Sequence, residues 1–251
     1  MGPSCRLLTS SATAARRCVR RCSPTTTSLQ TCPLSKITLL REPFLSSFPT
    51  SARPSLTFEL SKNSSLRAAG ISAPYIPASW TPSTYLQVTF PPSAPTEKEH
   101  HVALGNELTP TQASPEPSFS FVPPPGSKPD QTYTVLCVDP DAPSKVDQKW
   151  GPVRHWVQGG VRVGGGKVVV ERGAVMGYKG PGPPPKTGLH RYIFAIYRDT
   201  LPGGVKPLEE QKTFKDNELQ SRLNWPFAEF VKENGLELLG MNFFEAQNSE
   251  Q

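Results

Sequence analysis

The sequence predicts an all-β sandwich or barrel, and three observations carry that prediction. Short runs rich in apolar and β-branched residues recur along the chain, the strongest at residues 84–90, 132–138 and 190–198. Between them stand turn formers, with 29 prolines and 19 glycines in 251 residues. Proline at that density breaks interior helices, so a helical bundle is excluded, and glycine shows no three-residue period, which excludes collagen.

The elements follow in chain order. Residues 1–54 read as a leader and linker. An amphipathic stretch over 58–69 predicts a helix of about two or three turns, and the Pro-, Ser- and Ala-rich segment 71–82 reads as a loop. Over 84–90, Leu86, Val88 and Phe90 alternate with Tyr85, Gln87 and Thr89, the pattern of a half-buried strand. A second strand is expected at 118–122. Residues 132–138 lack polar alternation at their end and read as a buried strand. A turn with two prolines follows at 139–145. Strands are expected at 155–163 and 167–170, a Pro/Gly loop at 180–188, and a central strand at 190–198. Pro226 suits the first turn of a helix and Gly235 its end, with Phe227, Phe230 and Val231 as its apolar stripe. A short strand at 241–246 closes the chain.

Charge and cysteine are unevenly spread. The formal net charge is +6, yet residues 1–70 hold 10 Lys/Arg against 2 Asp/Glu, and the other 181 residues hold 17 against 19. The basic character therefore belongs to the N-terminal part, and a nucleic-acid-binding stripe on the folded part is not expected. Cys5, Cys18, Cys22 and Cys32 all lie in the first 32 residues, with only Cys137 beyond, so no disulfide framework is expected. No residue before Glu42 is acidic, and the segment is rich in Arg, Ser and Thr. Three readings stay open for it: an organellar transit peptide, an ordinary disordered basic tail, or an incorrectly predicted gene start. Accordingly a cytoplasmic or a mitochondrial location is expected. No apolar run approaches the length of a membrane span.

Three features bear on chemistry. The chain has four histidines; His100 and His101 sit in a charged loop and read as solvated, while His155 and His190 each open an apolar strand. The run Asp139-Pro140-Asp141-Ala142-Pro143 places two carboxylates after a buried strand. If the chain stays extended there, both point to one side, where histidines would be suitable partners. The run 180–192, GPGPPPKTGLHRY, is a stiff loop leading into a strand. Its backbone can approach a ligand closely, and His190 and Tyr192 share one strand face. No HxxxH, HxH or GxSxG pattern supports a metal site or a serine nucleophile.

Together these segments resemble the phosphatidylethanolamine-binding protein family over roughly residues 55–247. DPDAPSK at 139–145 is similar to the family's first signature, with Lys145 for its usual Arg, and fourteen residues separate Asp141 from His155 as in the family. Residues 182–192 resemble its second signature, with Pro185 and Lys186 in place of Lys and Gly. TPSTYLQVTF and GNELTP resemble its early strand and following turn. The resemblance implies two antiparallel sheets with a Greek-key core and a few short peripheral helices, ending in a C-terminal helix and short strand, over residues 55–251.

It also implies a pocket for phosphate or a phospholipid head group. Carried over position by position, the ligand-binding residues are Asp139, Asp141, Pro143, His155, Gly182, Pro183, Pro184, His190 and Tyr192. Trp150 and Phe244 fall at two further pocket positions, where animal members have tyrosines; Phe244 leaves the site one hydroxyl short. Val153 falls where animal members have a rim tryptophan. The ending GMNFFEAQ looks more like fungal members.

The functional expectation is a monomeric, non-enzymatic binding protein without cofactor or metal, regulating a serine carboxypeptidase or a kinase. A carboxypeptidase Y-type inhibitor acting outside the pocket is the alternative, and a pocket-based biosynthetic enzyme the third reading. If protonated histidines hold the anion, binding weakens as pH rises past about 6.5.

Overall fold

The computed structural model describes residues 63–205 and 219–251. The leader expected at 1–54, its four cysteines and the first part of the helix expected at 58–69 lie outside the described residues. Residues 63–68 are helical (α1). Among the described residues nine strands follow: β1 Gln87–Phe90, β2 His100–His101, β3 Asn106–Glu107, β4 Ser118–Ser120, β5 Tyr133–Asp139, β6 Val153–Gly164, β7 Lys167–Val170, β8 His190–Asp199 and β9 Leu236–Ala246. A 3₁₀ turn at Leu219–Ser221 and helix α2, Phe227–Glu233, precede β9.

The strands form two sheets, β2-β1-β4 and β3-β9-β8-β5-β6-β7. Strands β5, β6 and β7 are consecutive antiparallel neighbours, and β8 returns to lie beside β5. That is the Greek-key path. Every pair is antiparallel except the short edge strand β3, which runs parallel to β9 with Asn106 opposite Phe244.

Strand parity builds a core on each face of the large sheet. On β5, Leu136 and Val138 face a layer completed by Leu66 of α1 and by Phe227 and Phe230 of α2. Val135 and Cys137 face the other way, onto Leu86, Val88 and Phe90 of the small sheet. Because β5 is covered on both faces, all seven of its residues are buried, which explains its lack of polar alternation. Strand β1 alternates apolar and polar residues, yet only Gln87 is exposed: Thr89 is buried beside Val88 and Phe90, in register with His101 of β2 and Ser118 of β4.

Three expectations change. The histidines expected in a solvated loop form β2, where the His101 Nδ1 lies 3.0 Å from the Thr89 hydroxyl. A two-residue strand carries too little periodicity to be read. The turn at GNELTP supplies β3. The final strand is eleven residues long rather than six. The expected start at Met241 stops short, because a bulge at Leu239, where Ile196 pairs with Gly240 and Tyr197 with Leu238, lets pairing continue back to Leu236. Gly235, at φ +56°, makes the turn that joins α2 directly to this strand.

Candidate functional site

The antiparallel order of β6-β5-β8 brings the end of β5 and the starts of β6 and β8 to one end of the large sheet. Asp139 pairs in register with Val153, and Val138 with Ile193. Asp139, His155, His190 and Tyr192 therefore converge there, although they are far apart in the chain. They line a cavity of about 270 Å³ closed by the loops around residues 142–150 and 179–184.

His190 is almost fully buried and its two ring nitrogens are both engaged. Nδ1 lies 2.9 Å from the Asp139 Oδ2, and Nε2 lies 3.0 Å from the Thr187 hydroxyl oxygen. The Thr187 hydroxyl spends its single hydrogen on the Pro184 carbonyl, at 2.7 Å. It can therefore only accept from Nε2–H, while the carboxylate accepts from Nδ1–H. His190 and Asp139 thus hold each other in place. The second oxygen of Asp139 accepts the backbone N–H of Asp141 at 2.7 Å.

His155 is placed differently. Its Nδ1–H donates to the Lys179 carbonyl at 2.6 Å, and the Lys179 N–H donates to the His155 carbonyl at 2.9 Å. Burial holds the imidazole pKa below its ordinary value; the nearby Asp139 opposes this, and Arg222 and Lys179 add to it. Its ring meets Tyr192 edge to face at 5.1 Å. Burial pushes the Tyr192 hydroxyl well above its usual pKa, with Asp139 adding and a hydrogen bond to the Gly182 backbone opposing. Phe244 stacks behind Tyr192, ring centroids 5.0 Å apart.

Of the residues expected at the site, Asp139, Pro143, Trp150, His155, Gly182, Pro184, His190 and Tyr192 line the cavity, and Asp141, Pro183 and Phe244 do not. The expectation that the two carboxylates share a side does not hold. The bond from the Asp141 N–H back to Asp139 closes a turn, so the chain is not extended and two-residue parity fails. Asp141 points away, to Arg191. Pro183 is buried and its carbonyl accepts from Asn248 Nδ2 at 3.0 Å. Phe244 sits beside Tyr192 on the neighbouring strand β9, its ring stacked on the tyrosine and fully buried.

Lys179 and Leu223 also line the cavity, together with Ala142, Val153 and Gly180. Lys179 stands just before the Gly-Pro-Gly loop, and a cation beside such a loop was the available signal. Leu223 arrives from a distant segment and carries no local mark. The pH expectation shifts as well: with the His155 pKa lowered, its protonation, and any binding that depends on it, falls away below pH 6.5 rather than above it. Among the described residues, no group of three or more His, Cys, Asp or Glu is placed to hold a metal ion, and no helix is long and apolar enough to cross a membrane.

Residues 98–244 match the family model described as phosphatidylethanolamine-binding protein. The chain is 30% identical over 203 residues to the carboxypeptidase Y inhibitor of Saccharomyces cerevisiae, covering 67% of this chain and 86% of that protein. It is 29% identical over 162 residues to an uncharacterized protein of the same yeast, covering 59% and 77%. Among solved structures, it is similar to a carboxypeptidase Y inhibitor complexed with its cognate proteinase, with TM-score 0.61 and 27% identity over 78% of this chain and 98% of that one. A phosphatidylethanolamine-binding protein from Plasmodium vivax shares the fold, with TM-score 0.54 and 19% identity over 74% and 97%.

Proposed function

Since the chain belongs to the phosphatidylethanolamine-binding protein family, we propose that it is a non-enzymatic binding protein whose cavity takes a phosphate or a phospholipid head group. The observation that carries this reading is the closure of the cavity's own polar groups. Asp139 is spent on His190 and on the Asp141 N–H, and His190 on Asp139 and Thr187. Such a site is preorganised to hold a ligand and leaves no free carboxylate to act as a base. Apolar walls with a few convergent polar groups are the common composition of a small-molecule site.

Phosphate or phosphoethanolamine titration, followed by amide NMR shifts around residues 139–143 and 179–192, tests this reading. Saturable shifts that disappear in His155→Ala and His190→Ala are expected. Unchanged affinity in both variants sinks it.

A second reading is inhibition of a serine carboxypeptidase, by contacts outside the cavity. Its support is the 30% identity to a carboxypeptidase Y inhibitor and the fold shared with an inhibitor seen in complex with its proteinase. An inhibition assay against a serine carboxypeptidase, with the full chain and with a chain lacking residues 1–54, discriminates. Inhibition that persists in His190→Ala supports a contact outside the cavity; no inhibition by either form rejects the reading.

A further inference from the structure

The cavity's charges are unequal once its internal pairs are set aside. Its ionisable lining side chains are Asp139, His155, Lys179, His190 and Tyr192. Asp139 and His190 are engaged with each other across their 2.9 Å contact. Burial disfavours the charged forms of His155 and Tyr192. That leaves Lys179, whose ammonium is paired with no carboxylate in any ion pair of the described residues. The Lys179 backbone is fixed at the rim by its two-way bond with His155, so the side chain starts from a defined place.

A ligand cation would find nothing comparable. Both Asp139 oxygens already accept hydrogen bonds. Asp141 does not line the cavity; its oxygens accept from Arg191 and Gln148. On the outer loop, Asp147 pairs with Lys149 at 2.9 Å. An ammonium entering beside a bound phosphate would lose water and gain no carboxylate, which costs binding energy.

The rest of the lining is apolar: Ala142, Pro143, Trp150, Val153, Pro184 and Leu223. Trp150 is 45% exposed and stands at the mouth. A cavity of 270 Å³ has the liquid volume of about nine waters, at about 30 Å³ each. That accommodates an anionic head and its first few carbons, with the remaining chain leaving across Trp150.

We propose that the ligand this cavity selects is a simple anion on an apolar body, an alkyl phosphate or a carboxylate, in preference to a zwitterionic head group, and that Lys179 is the residue that makes the selection. The proposal rests on reading the cavity as an anion site and goes further by fixing the charge type. An exposed lysine contributes little to an isolated ion pair in water. Here its effect is larger because the walls are apolar and no carboxylate of the described residues forms an ion pair with it.

Calorimetry with the full chain and matched eight-carbon probes tests the proposal: octyl phosphate, octanoate and octylphosphoethanolamine, with inorganic phosphate as the tail-free control. Octyl phosphate or octanoate is expected to bind at least about tenfold more tightly than octylphosphoethanolamine, and whichever of the two is tighter names the source of the anion. Lys179→Gln is expected to weaken the anionic probe about five- to tenfold, the size of one charge-assisted hydrogen bond, and Lys179→Arg to retain it. The Lys179 side chain is exposed, so both variants should fold. Octylphosphoethanolamine binding as tightly as octyl phosphate, or Lys179→Gln leaving the preference unchanged, overturns the proposal while the anion-site reading stands. No binding by any probe, inorganic phosphate included, overturns both.

Discussion

Arg191 holds Asp141 with three donors. Its Nη2 lies 2.6 Å from one carboxylate oxygen, and its Nε and backbone N–H lie 2.7 and 3.0 Å from the other. The neighbouring residue, His190, holds Asp139. Consecutive residues on a strand face opposite sides, and the turn after β5 swings the two carboxylates to opposite sides to match. The motifs at 139–143 and 188–192 are therefore two halves of one lock. One half faces the cavity, and the other fastens the turn to β8 from behind.

The rear half of this lock is structural, and breaking it should unfold rather than inactivate. The Asp141 side chain is fully buried and that of Arg191 nearly so. Removing one partner leaves an uncompensated buried charge, which costs about 3–5 kcal/mol. Arg191→Leu and Asp141→Leu are each expected to lower stability by that amount in urea unfolding. The double variant should lose less than the sum of the two. Additive losses would show that the two side chains do not depend on each other.

The same lock sets the acid response, in two separable windows. Burial raises the Asp141 pKa, but the hydrogen bonds and charge of Arg191 outweigh it, and the folded value is below the ordinary one. A depressed carboxylate contributes stability above its unfolded value of about 4 and loses it as pH falls through the folded value. His155 is also depressed, by burial first. Its stability contribution is present above about pH 6.5 and is lost as pH falls below that. The urea midpoint should therefore decline between pH 7.5 and 5.5 and again below pH 4. His155→Gln should flatten the first decline and leave the second. A flat wild-type profile from pH 7.5 to 5.5 would contradict the depressed histidine.

Gly151 sets the position of the turn from outside. A Cβ placed on it would stand 2.3 Å from the Pro140 carbonyl oxygen, between the two carboxylates of the lock. That contact is with backbone, so it is relieved only by moving the turn. Gly151→Ala is expected to cost about 1–3 kcal/mol as overpacking and to shift the NMR signals of residues 139–143. Gly182→Ala makes the comparison, because nothing lies within 4 Å of its added Cβ. Equal losses in the two variants would remove the steric explanation.

The positions of the long strands were legible because their signals are local, whereas the two-sheet arrangement and the set of cavity residues came from the family resemblance. The runs ending at Asp139 and opening at His190 are long and apolar on both faces, and the residues at their ends fall at the same edge once the strands pair. Phe227, Phe230 and Val231 gave α2 by helical spacing, bracketed by Pro226 and Gly235. The strand β2 and the early part of β9 were hidden, since the first is two residues long and the second continues past Gly240 through a bulge at Leu239. The direction of Asp141 was hidden for a related reason: parity along a chain fails wherever a side chain or backbone bond closes a turn. Lys179 and Leu223 reach the cavity by tertiary packing, and neither belongs to a motif.

Thr187 gives the most direct test of the front half of the lock. Its hydroxyl donates to the Pro184 carbonyl at 2.7 Å and accepts from the His190 Nε2–H across 3.0 Å, joining the cavity wall to the histidine. Thr187→Val keeps the shape and removes both bonds. The His190 side chain is 1% exposed, so Nε2–H would be left buried without an acceptor. Leaving such a group unsatisfied costs about 1–3 kcal/mol. Stability should fall by that amount, and the imidazole Nε2–H proton should become fast-exchanging and vanish from the low-field NMR spectrum. Affinity for octyl phosphate should fall with it, because the Pro184 wall is no longer tied to β8. Thr187→Ser restores the hydroxyl without the methyl and should recover the proton signal and the affinity together. Recovery of stability without the signal would mean that Thr187 acts through packing and that His190 is held by Asp139 alone.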